Sequence, residues 1–130
     1  MGKEFMRGRP DRFEDWFGFA ERDLKKAATD LTAGESIYAV IFLQQSAEKF
    51  LKGKMVQLGD NPGKTHNLPY LLTELAKLGL DLEWFRKTGE FLSYEYLAER
   101  YPGDFDPPPS DDEVAAALEE AKKLSKQINP

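Results

Sequence analysis

The spacing of apolar residues between glycine- and proline-rich breaks is the feature that most restricts how this chain can fold. Breaks occur at Gly34, at residues 59–63, at Gly79 and at residues 102–109. Between the breaks, apolar residues recur three and four positions apart, which is the period of an amphipathic helix. No segment shows the strict alternation of a half-buried strand. The pattern therefore predicts an all-α chain.

The breaks divide the chain into about five predicted helices. These helices cover approximately residues 10–31, 35–58, 68–78, 82–99 and the segment that follows residue 110. The turn between the first two is short, so these long helices should form an antiparallel hairpin in the N-terminal half. We therefore expect an up-down helical bundle.

Two helix starts carry recognisable capping signals. Asn67 is the predicted N-cap of the third helix, because its side chain can accept a hydrogen bond from a free backbone N–H. Ser110 and Glu113 have the spacing of a capping box at the start of the last helix. These local signals predict where both helices begin.

Length and composition indicate one soluble globular domain that covers residues 1–130. The chain contains no cysteine, which excludes disulfides and thiolate metal sites. No apolar run approaches the roughly 20 residues of a membrane span, and the first residues lack the apolar stretch of a signal peptide. We therefore expect a cytoplasmic protein. The net charge of −5 argues against broad, non-specific binding to nucleic acid.

The sequence shows no pattern of a common catalytic or metal centre. His66 is the only histidine, and no recognisable nucleophile motif lies near it. It immediately precedes the predicted N-cap Asn67, so a role in fixing the loop is favoured over catalysis. The acidic residues are spread at helix-surface spacing, and no glycine-rich phosphate loop is present. We predict no catalytic residue, no metal site and no cofactor.

Polar residues interrupt the apolar face of the second predicted helix. At ~100° per residue, Gln44 falls inside this face and Glu48 on its border, whereas Lys49 and Lys52 lie further round, toward solvent or a partner. One explanation is an edge position in which Glu48 pairs with Lys52 one turn later. The other is a buried polar cluster, which requires a specific partner because unpaired burial costs a few kcal/mol. Arg100 is the candidate partner.

The end of the fourth predicted helix combines aromatic rings with an arginine. Tyr94, Arg100 and Tyr101 lie there, beside a proline-rich connection. Aromatic faces and a guanidinium group can stack a base and hold a phosphate. Alternatively, Arg100 only meets the negative end of the helix dipole and the tyrosines are half-buried core residues.

Four stretches of the chain follow one another in an informative order: DWFGFAERDLKKAATDL, YAVIFLQQSAEKFLKGKMVQLG, KTHNLPYLLTEL and ERYP. Together they resemble the HEPN (higher eukaryote and prokaryote nucleotide-binding) domain family over nearly the whole chain. The resemblance implies a helical bundle, a homodimer, and a small cytoplasmic protein that binds a nucleotide or works beside a minimal nucleotidyltransferase in a toxin–antitoxin-like pair. It transfers to this sequence the candidate ligand-binding residues Gln44, Glu48, Lys49, Lys52, Arg100 and Tyr101.

The chain departs from the catalytic motif of the family. Many members are metal-independent RNases that use an arginine followed, after a short polar stretch, by a histidine. Residues 105–107 are Phe-Asp-Pro, where a histidine would be needed after Arg100, and no arginine lies shortly before His66. The resemblance therefore favours a non-catalytic binding module. The alternatives are a divergent RNase or nucleotide-processing enzyme, and a purely structural dimeric scaffold.

Two structural expectations follow. Glu48 and Arg100 should face a common polar pocket that is also lined by Gln44, Lys52 or Tyr101. The chain should form a two-fold symmetric dimer, since aromatic residues such as Phe19 and Phe42 lie off the main apolar stripes and indicate that some helix surface is covered.

Overall fold

Five α-helices form the described part of the molecule. The structure is a computed structural model, described for residues 12–100 and 107–130, with the side chains of residues 99 and 100 also outside the description. No strand occurs in these two ranges, and the all-α prediction is confirmed. The helices are α1 Phe13–Thr32, α2 Ser36–Gln57, α3 Leu68–Lys77, α4 Arg86–Arg100 and α5 Asp111–Ile128.

The two longest helices, α1 and α2, form the predicted antiparallel hairpin. Gly34 has a φ of +81° in the turn between them, a conformation that a residue with a Cβ rarely adopts. The Glu35 amide donates to the Asp30 carbonyl at 2.8 Å and closes the turn. Near the other end of the hairpin, a Cβ on Gly53 would lie 2.7 Å from Trp16 Cβ. The backbones approach closely there because Gly53 has no side chain.

Helix α2 is the central element, and α1, α3, α4 and α5 all pack against it. Its central position follows from its composition, since buried side chains occur around most of its circumference. The core of the protein surrounds it and contains Phe50 and Leu43 from α2, Leu71 from α3, Leu92 from α4 and Leu124 from α5, all with zero exposure.

Both predicted helix caps are confirmed. The Asn67 carboxamide oxygen accepts a hydrogen bond from the Tyr70 amide at 2.9 Å. At the start of α5, the Ser110 hydroxyl accepts from the Glu113 amide at 3.1 Å, and the Glu113 carboxylate accepts from the Ser110 amide at 2.9 Å. These caps fix the direction in which α3 and α5 leave their loops.

The start of the fourth helix differs from the prediction. A 3₁₀ turn, Glu83–Phe85, precedes α4. The Asp81 carboxylate accepts from the Glu83 amide at 2.9 Å, and the Phe85 amide donates to the Leu82 carbonyl at 2.9 Å. This local capping by Asp81 favours the tighter i to i+3 bond at the start of the segment.

The apolar spacing of the fourth predicted helix predicts that Tyr96 and Leu97 both point inward, and this is wrong for Leu97. Tyr96 takes the buried position at 7% exposure, and Leu97 is 54% exposed. Neighbouring residues on a helix point about 100° apart, so both side chains cannot face the same side. Within the described ranges, no helix is long and apolar enough to cross a membrane.

Candidate functional site

Three buried polar side chains of α2 meet one exposed side chain of the loop before α3. The group consists of Gln44, Glu48 and Lys52 from α2 and His66 from the loop, and is named here the Glu48 cluster. The three α2 residues follow one another at intervals of four, so they share one face of the helix. Gln44 has zero exposure, Lys52 4% and Glu48 7%.

Glu48 is the centre of this cluster and contacts the other three members. Lys52 Nζ lies 2.9 Å from one carboxylate oxygen of Glu48. Nδ1 of His66 lies 3.1 Å from each of the two oxygens. Removing a carboxylate from water is costly, and a cation with additional hydrogen bonds compensates for that cost. The surrounding groups therefore allow a buried carboxylate here.

Gln44 joins the helix to the loop. Its side-chain amide N–H group donates to Glu48 Oε1 at 3.1 Å and to the backbone carbonyl of His66 at 3.0 Å. Both partners are acceptors, so they fix which end of the carboxamide carries the nitrogen. The carboxamide oxygen of Gln44 is buried and has no hydrogen-bond partner among the described residues.

The loop before α3 brings His66 to this position through its own hydrogen bonds. Gly63 turns the chain with a φ of +71°. Thr65 Oγ1 accepts from the Asn67 amide at 3.1 Å, and the Leu68 amide donates to Ser93 Oγ of α4 at 3.1 Å. The imidazole is therefore held at the start of α3 between α2 and α4, and its side chain remains 61% exposed.

Tyr96 of α4 lies next to the imidazole of His66 and forms one wall of the site. The ring centroids of Tyr96 and His66 lie 6.2 Å apart, with the rings inclined at 50°. Gln45 donates to the Tyr96 hydroxyl at 3.1 Å, which ties this wall to α2. The exposed imidazole thus lies beside a mostly buried aromatic ring.

The sequence matches the model of the HEPN domain over residues 13–129, which is most of the chain. The chain belongs to the HEPN domain family. Its fold is similar to that of TT1696 from Thermus thermophilus, with a TM-score of 0.79 and 27% identity over 91% of this chain and 96% of the other. It is also similar to ST0689, an archaeal HEPN homologue, with a TM-score of 0.71 and 25% identity over 90% and 94% of the two chains. No protein with a curated function matches the sequence.

Three of the predicted site residues of this HEPN chain come together. Gln44, Glu48 and Lys52 form the α2 part of the Glu48 cluster, and the predicted ion pair between Glu48 and Lys52 is confirmed. The sequence placed Lys52 toward solvent or a partner, and its side chain is instead buried at 4% exposure beside Glu48. Lys52 lies one turn after Glu48 on the same face, and its long aliphatic chain is buried while its amine reaches the carboxylate.

Lys49 does not belong to the cluster. Its amine lies 2.5 Å from the Asp23 carboxylate of α1, so it ties the two helices of the hairpin together. The step of about 100° from Glu48 to Lys49 turns this side chain away from the buried carboxylate. Lys49 therefore lies apart from the Glu48 cluster, and its role in ligand binding stays a prediction.

The residues predicted at the end of α4 fall partly outside the described structure. Tyr101 lies outside the described residues, as does the side chain of Arg100, the last residue of α4. The predicted pocket shared by Glu48 and Arg100 therefore stays a prediction. Tyr94 is 51% exposed.

His66 is the site residue that sequence reasoning missed. The sequence predicted a role in fixing the loop, and the Gln44 contact to its carbonyl agrees with that role. The contact of its ring with Glu48 was not predicted. One signal was available, since the only imidazole of the chain immediately precedes a helix N-cap and a carboxylate borders the buried face of the preceding helix.

His66 and the Glu48–Lys52 pair determine the hydrogen-bonding capacity and the charge of the cluster. When Nδ1 of His66 donates to Glu48, Nε2 on the other side of the ring carries the lone pair and can accept a hydrogen bond. Lys52 and Glu48 neutralise each other, so the buried part of the cluster attracts neither sign of ligand charge strongly. Among the described residues, no group of three acidic or histidine side chains converges as a metal site.

Proposed function

We propose that this HEPN chain is a non-catalytic cytoplasmic module that binds a nucleotide at the Glu48 cluster. The observation that carries the proposal is the arrangement of His66, which is exposed at its ring but fixed by Glu48 and, through its backbone, by Gln44. An aromatic ring held in one orientation at the surface is suited to stack on another flat ring. A nucleobase is the ligand that fits this geometry.

The hydrogen-bonding capacity of the site supports the same ligand. In the neutral ring with Nδ1 donating to Glu48, Nε2 of His66 is an acceptor on the other side of the exposed ring. This acceptor matches an amino group of a nucleobase rather than a phosphate.

The phosphate contact in this proposal comes from the end of α4. Position 100 lies one helical turn after Tyr96, whose ring adjoins His66. An arginine there can offer a bidentate fork to a phosphate group. Arg100 is thus proposed to hold the phosphate while His66 contacts the base, and Tyr101 stays a predicted ligand-binding residue.

Thermal unfolding of the purified chain with a panel of nucleoside mono-, di- and triphosphates tests this function. A nucleotide at 100 times its Kd adds about 2.7 kcal/mol to the free energy of unfolding. We expect stabilisation by at least one nucleotide. His66→Ala and Arg100→Ala should abolish that stabilisation, and Arg100→Lys should restore the charge but not the bidentate geometry.

Lys77→Ala is the matched control, because Lys77 lies on α3 and pairs only with Glu74 at the surface. It should leave nucleotide binding unchanged. A panel without any stabilisation would contradict the function, and a response that survives both His66→Ala and Arg100→Ala would contradict the site. Cleavage of RNA by protein that passes a nuclease-contamination control would instead favour the divergent RNase.

Binding of another protein chain is the second part of the proposed function, and the exposed apolar surface of α4 supports it. Tyr94 and Leu97 are 51% and 54% exposed and lie one turn apart on the same face. We propose that this face is covered in a homodimer or by a minimal nucleotidyltransferase. Light scattering of the parent and of Leu97→Glu tests the homodimer, and a parent that is monomeric at micromolar concentration would contradict it.

A further inference from the structure

The outer face of the α1–α2 hairpin carries an apolar groove with a basic rim. The groove has a volume of about 480 Å³ and lies on the side of the hairpin that bears Lys49 and its partner Asp23. The aliphatic stems of its basic side chains and an aromatic ring make its lining mostly apolar. This hairpin groove is lined by Arg22, Asp23, Lys25, Lys26, Thr29 and Phe42.

The aromatic rings at the groove are covered by cations. The Arg22 guanidinium lies 5.3 Å from the centroid of the Phe19 ring, and Lys26 Nζ lies 5.5 Å from the centroid of Phe42. Phe19 is 41% exposed. These contacts hold the basic side chains along the groove, so the positive rim is partly ordered before any partner arrives.

Two cations of this rim have no carboxylate partner in the described part of the chain. Lys26 pairs with Asp30 at 2.6 Å and Lys49 pairs with Asp23 at 2.5 Å, whereas no acidic group lies within ion-pair distance of Arg22 or Lys25. The chain as a whole carries a net charge of −5. A local excess of positive charge beside an apolar groove on an acidic protein is therefore a distinctive surface.

The arrangement favours an acidic protein segment over a nucleic acid. The faces of Phe19 and Phe42 are occupied by Arg22 and Lys26, which leaves them poorly placed to stack bases. Asp23 lines the same groove and repels a run of phosphates. Two cations three residues apart on a helix instead match carboxylates at helical spacing on a partner helix.

From this charge and shape, we propose that the hairpin groove binds an acidic amphipathic helix of another protein. Apolar side chains of that helix fill the groove beside the Phe42 ring and along the aliphatic stems that line it, and its carboxylates pair with Arg22 and Lys25. Carboxylates at the rim would steer association and set its orientation. The groove is lined by residues of α1 and by Phe42 of α2, includes no member of the Glu48 cluster, and stands independently of nucleotide binding.

Binding of a short synthetic helical peptide, with leucine on one face and glutamate along its edges, tests the proposal by fluorescence anisotropy. The same peptide with glutamine in place of glutamate is the reference probe. We expect the full-length chain to bind the glutamate peptide and the glutamine peptide to bind more weakly. The double charge reversal Arg22→Glu with Lys25→Glu should weaken binding of the glutamate peptide by more than about tenfold.

The control is Lys77→Glu with Lys87→Glu, which changes the net charge by the same amount on α3 and α4, both exposed positions. It should change the affinity by less than about twofold. Equal weakening by both double variants would overturn the proposal, as would the absence of peptide binding up to about millimolar concentration. Two other results would also overturn it: RNA that displaces the peptide, or light scattering in which the parent is a dimer and the Arg22→Glu with Lys25→Glu variant is a monomer.

Discussion

Helix α2 has two sides that are built differently. The side toward α1 is closely packed, with Gly53 against Trp16 and Phe17, and the Ser46 hydroxyl donates to the Ala20 carbonyl at 2.8 Å. The side toward α3 contains Gln44, Glu48 and Lys52, which are buried but charged or polar. The first side depends mainly on close packing, whereas the second requires several hydrogen bonds and an ion pair to be made together.

Removing Glu48 should produce the largest effect on stability. Glu48→Leu leaves Lys52 buried without its partner, and we expect a loss of about 3–5 kcal/mol in the free energy of unfolding. The double variant Glu48→Leu with Lys52→Met should recover most of this loss, because no uncompensated charge remains. Urea denaturation measures both values. Equal stability of the single and double variants would contradict this explanation, because the Lys52 ammonium group would then have another partner in the Glu48→Leu variant.

Adding one methyl group to the side of α2 that faces α1 should produce the next largest loss of stability. A Cβ on Gly53 would lie 2.7 Å from Trp16 Cβ and 2.8 Å from a ring carbon of Phe17. We expect Gly53→Ala to reduce the free energy of unfolding by about 1–3 kcal/mol, although alanine is the better helix former.

Gly18→Ala in α1 is the matched control for that substitution. Nothing lies within 4 Å of the position that its Cβ would occupy, so this variant should be more stable by roughly 0.5–1 kcal/mol. Urea denaturation of both variants decides the comparison. If both variants were less stable than the parent, close packing around Gly53 would not explain its loss of stability.

His66→Ala should affect stability less than either change, because the side chain of His66 is largely exposed. We expect a loss of less than about 1 kcal/mol, since Lys52 and Gln44 still contact Glu48. Nucleotide binding should nevertheless disappear. A large loss of stability would show instead that the imidazole is part of the structural core of the polar side.

Glu95 gives the smallest effect and contrasts with Glu48, because it is partly buried and has no cationic partner in the part of the chain that the structure describes. Desolvation raises its pKa above 4.5, and the nearby carboxylate of Glu113 raises it further. A carboxyl group whose pKa is higher in the folded chain binds its proton more tightly there, so its contribution to stability is lost as the pH rises through that raised pKa.

Glu95→Gln should therefore stabilise the chain at neutral pH, by about half a kcal/mol or less given the access of solvent to the group. The gain should vanish as the pH falls below the ordinary glutamate value of 4.5. Thermal unfolding across this pH range measures the change. A gain that is independent of pH would contradict the electrostatic explanation.

The parts of the fold that could be predicted are those controlled by neighbours in sequence. The caps at Asn67 and Ser110 depend on side chains that bond amides three residues away, and both are confirmed. The helical periods of α1 and α2 likewise predicted the hairpin. The 3₁₀ turn before α4 could not be predicted from the apolar pattern, because it depends on a capping contact by Asp81.

The candidate site was harder to predict because its contacts join segments that are distant in sequence. Spacing on α2 predicted the pairing of Glu48 with Lys52, but not the burial of the lysine, which depends on how neighbouring elements pack around α2. The partner of Glu48 across the loop is His66, eighteen residues away. The periodicity of apolar residues does not indicate which helix residue a loop will contact.

The hydrogen bond from Gln44 to the His66 carbonyl has a consequence for the kinetics of binding. This bond connects the loop to the buried side chain of Gln44, which lies in the middle of helix α2. In the proposed function, the His66 imidazole already has the orientation in which it contacts the base. The loop therefore does not need to close before the nucleotide binds. Association should then occur in a single step whose observed rate rises linearly with ligand concentration and does not level off.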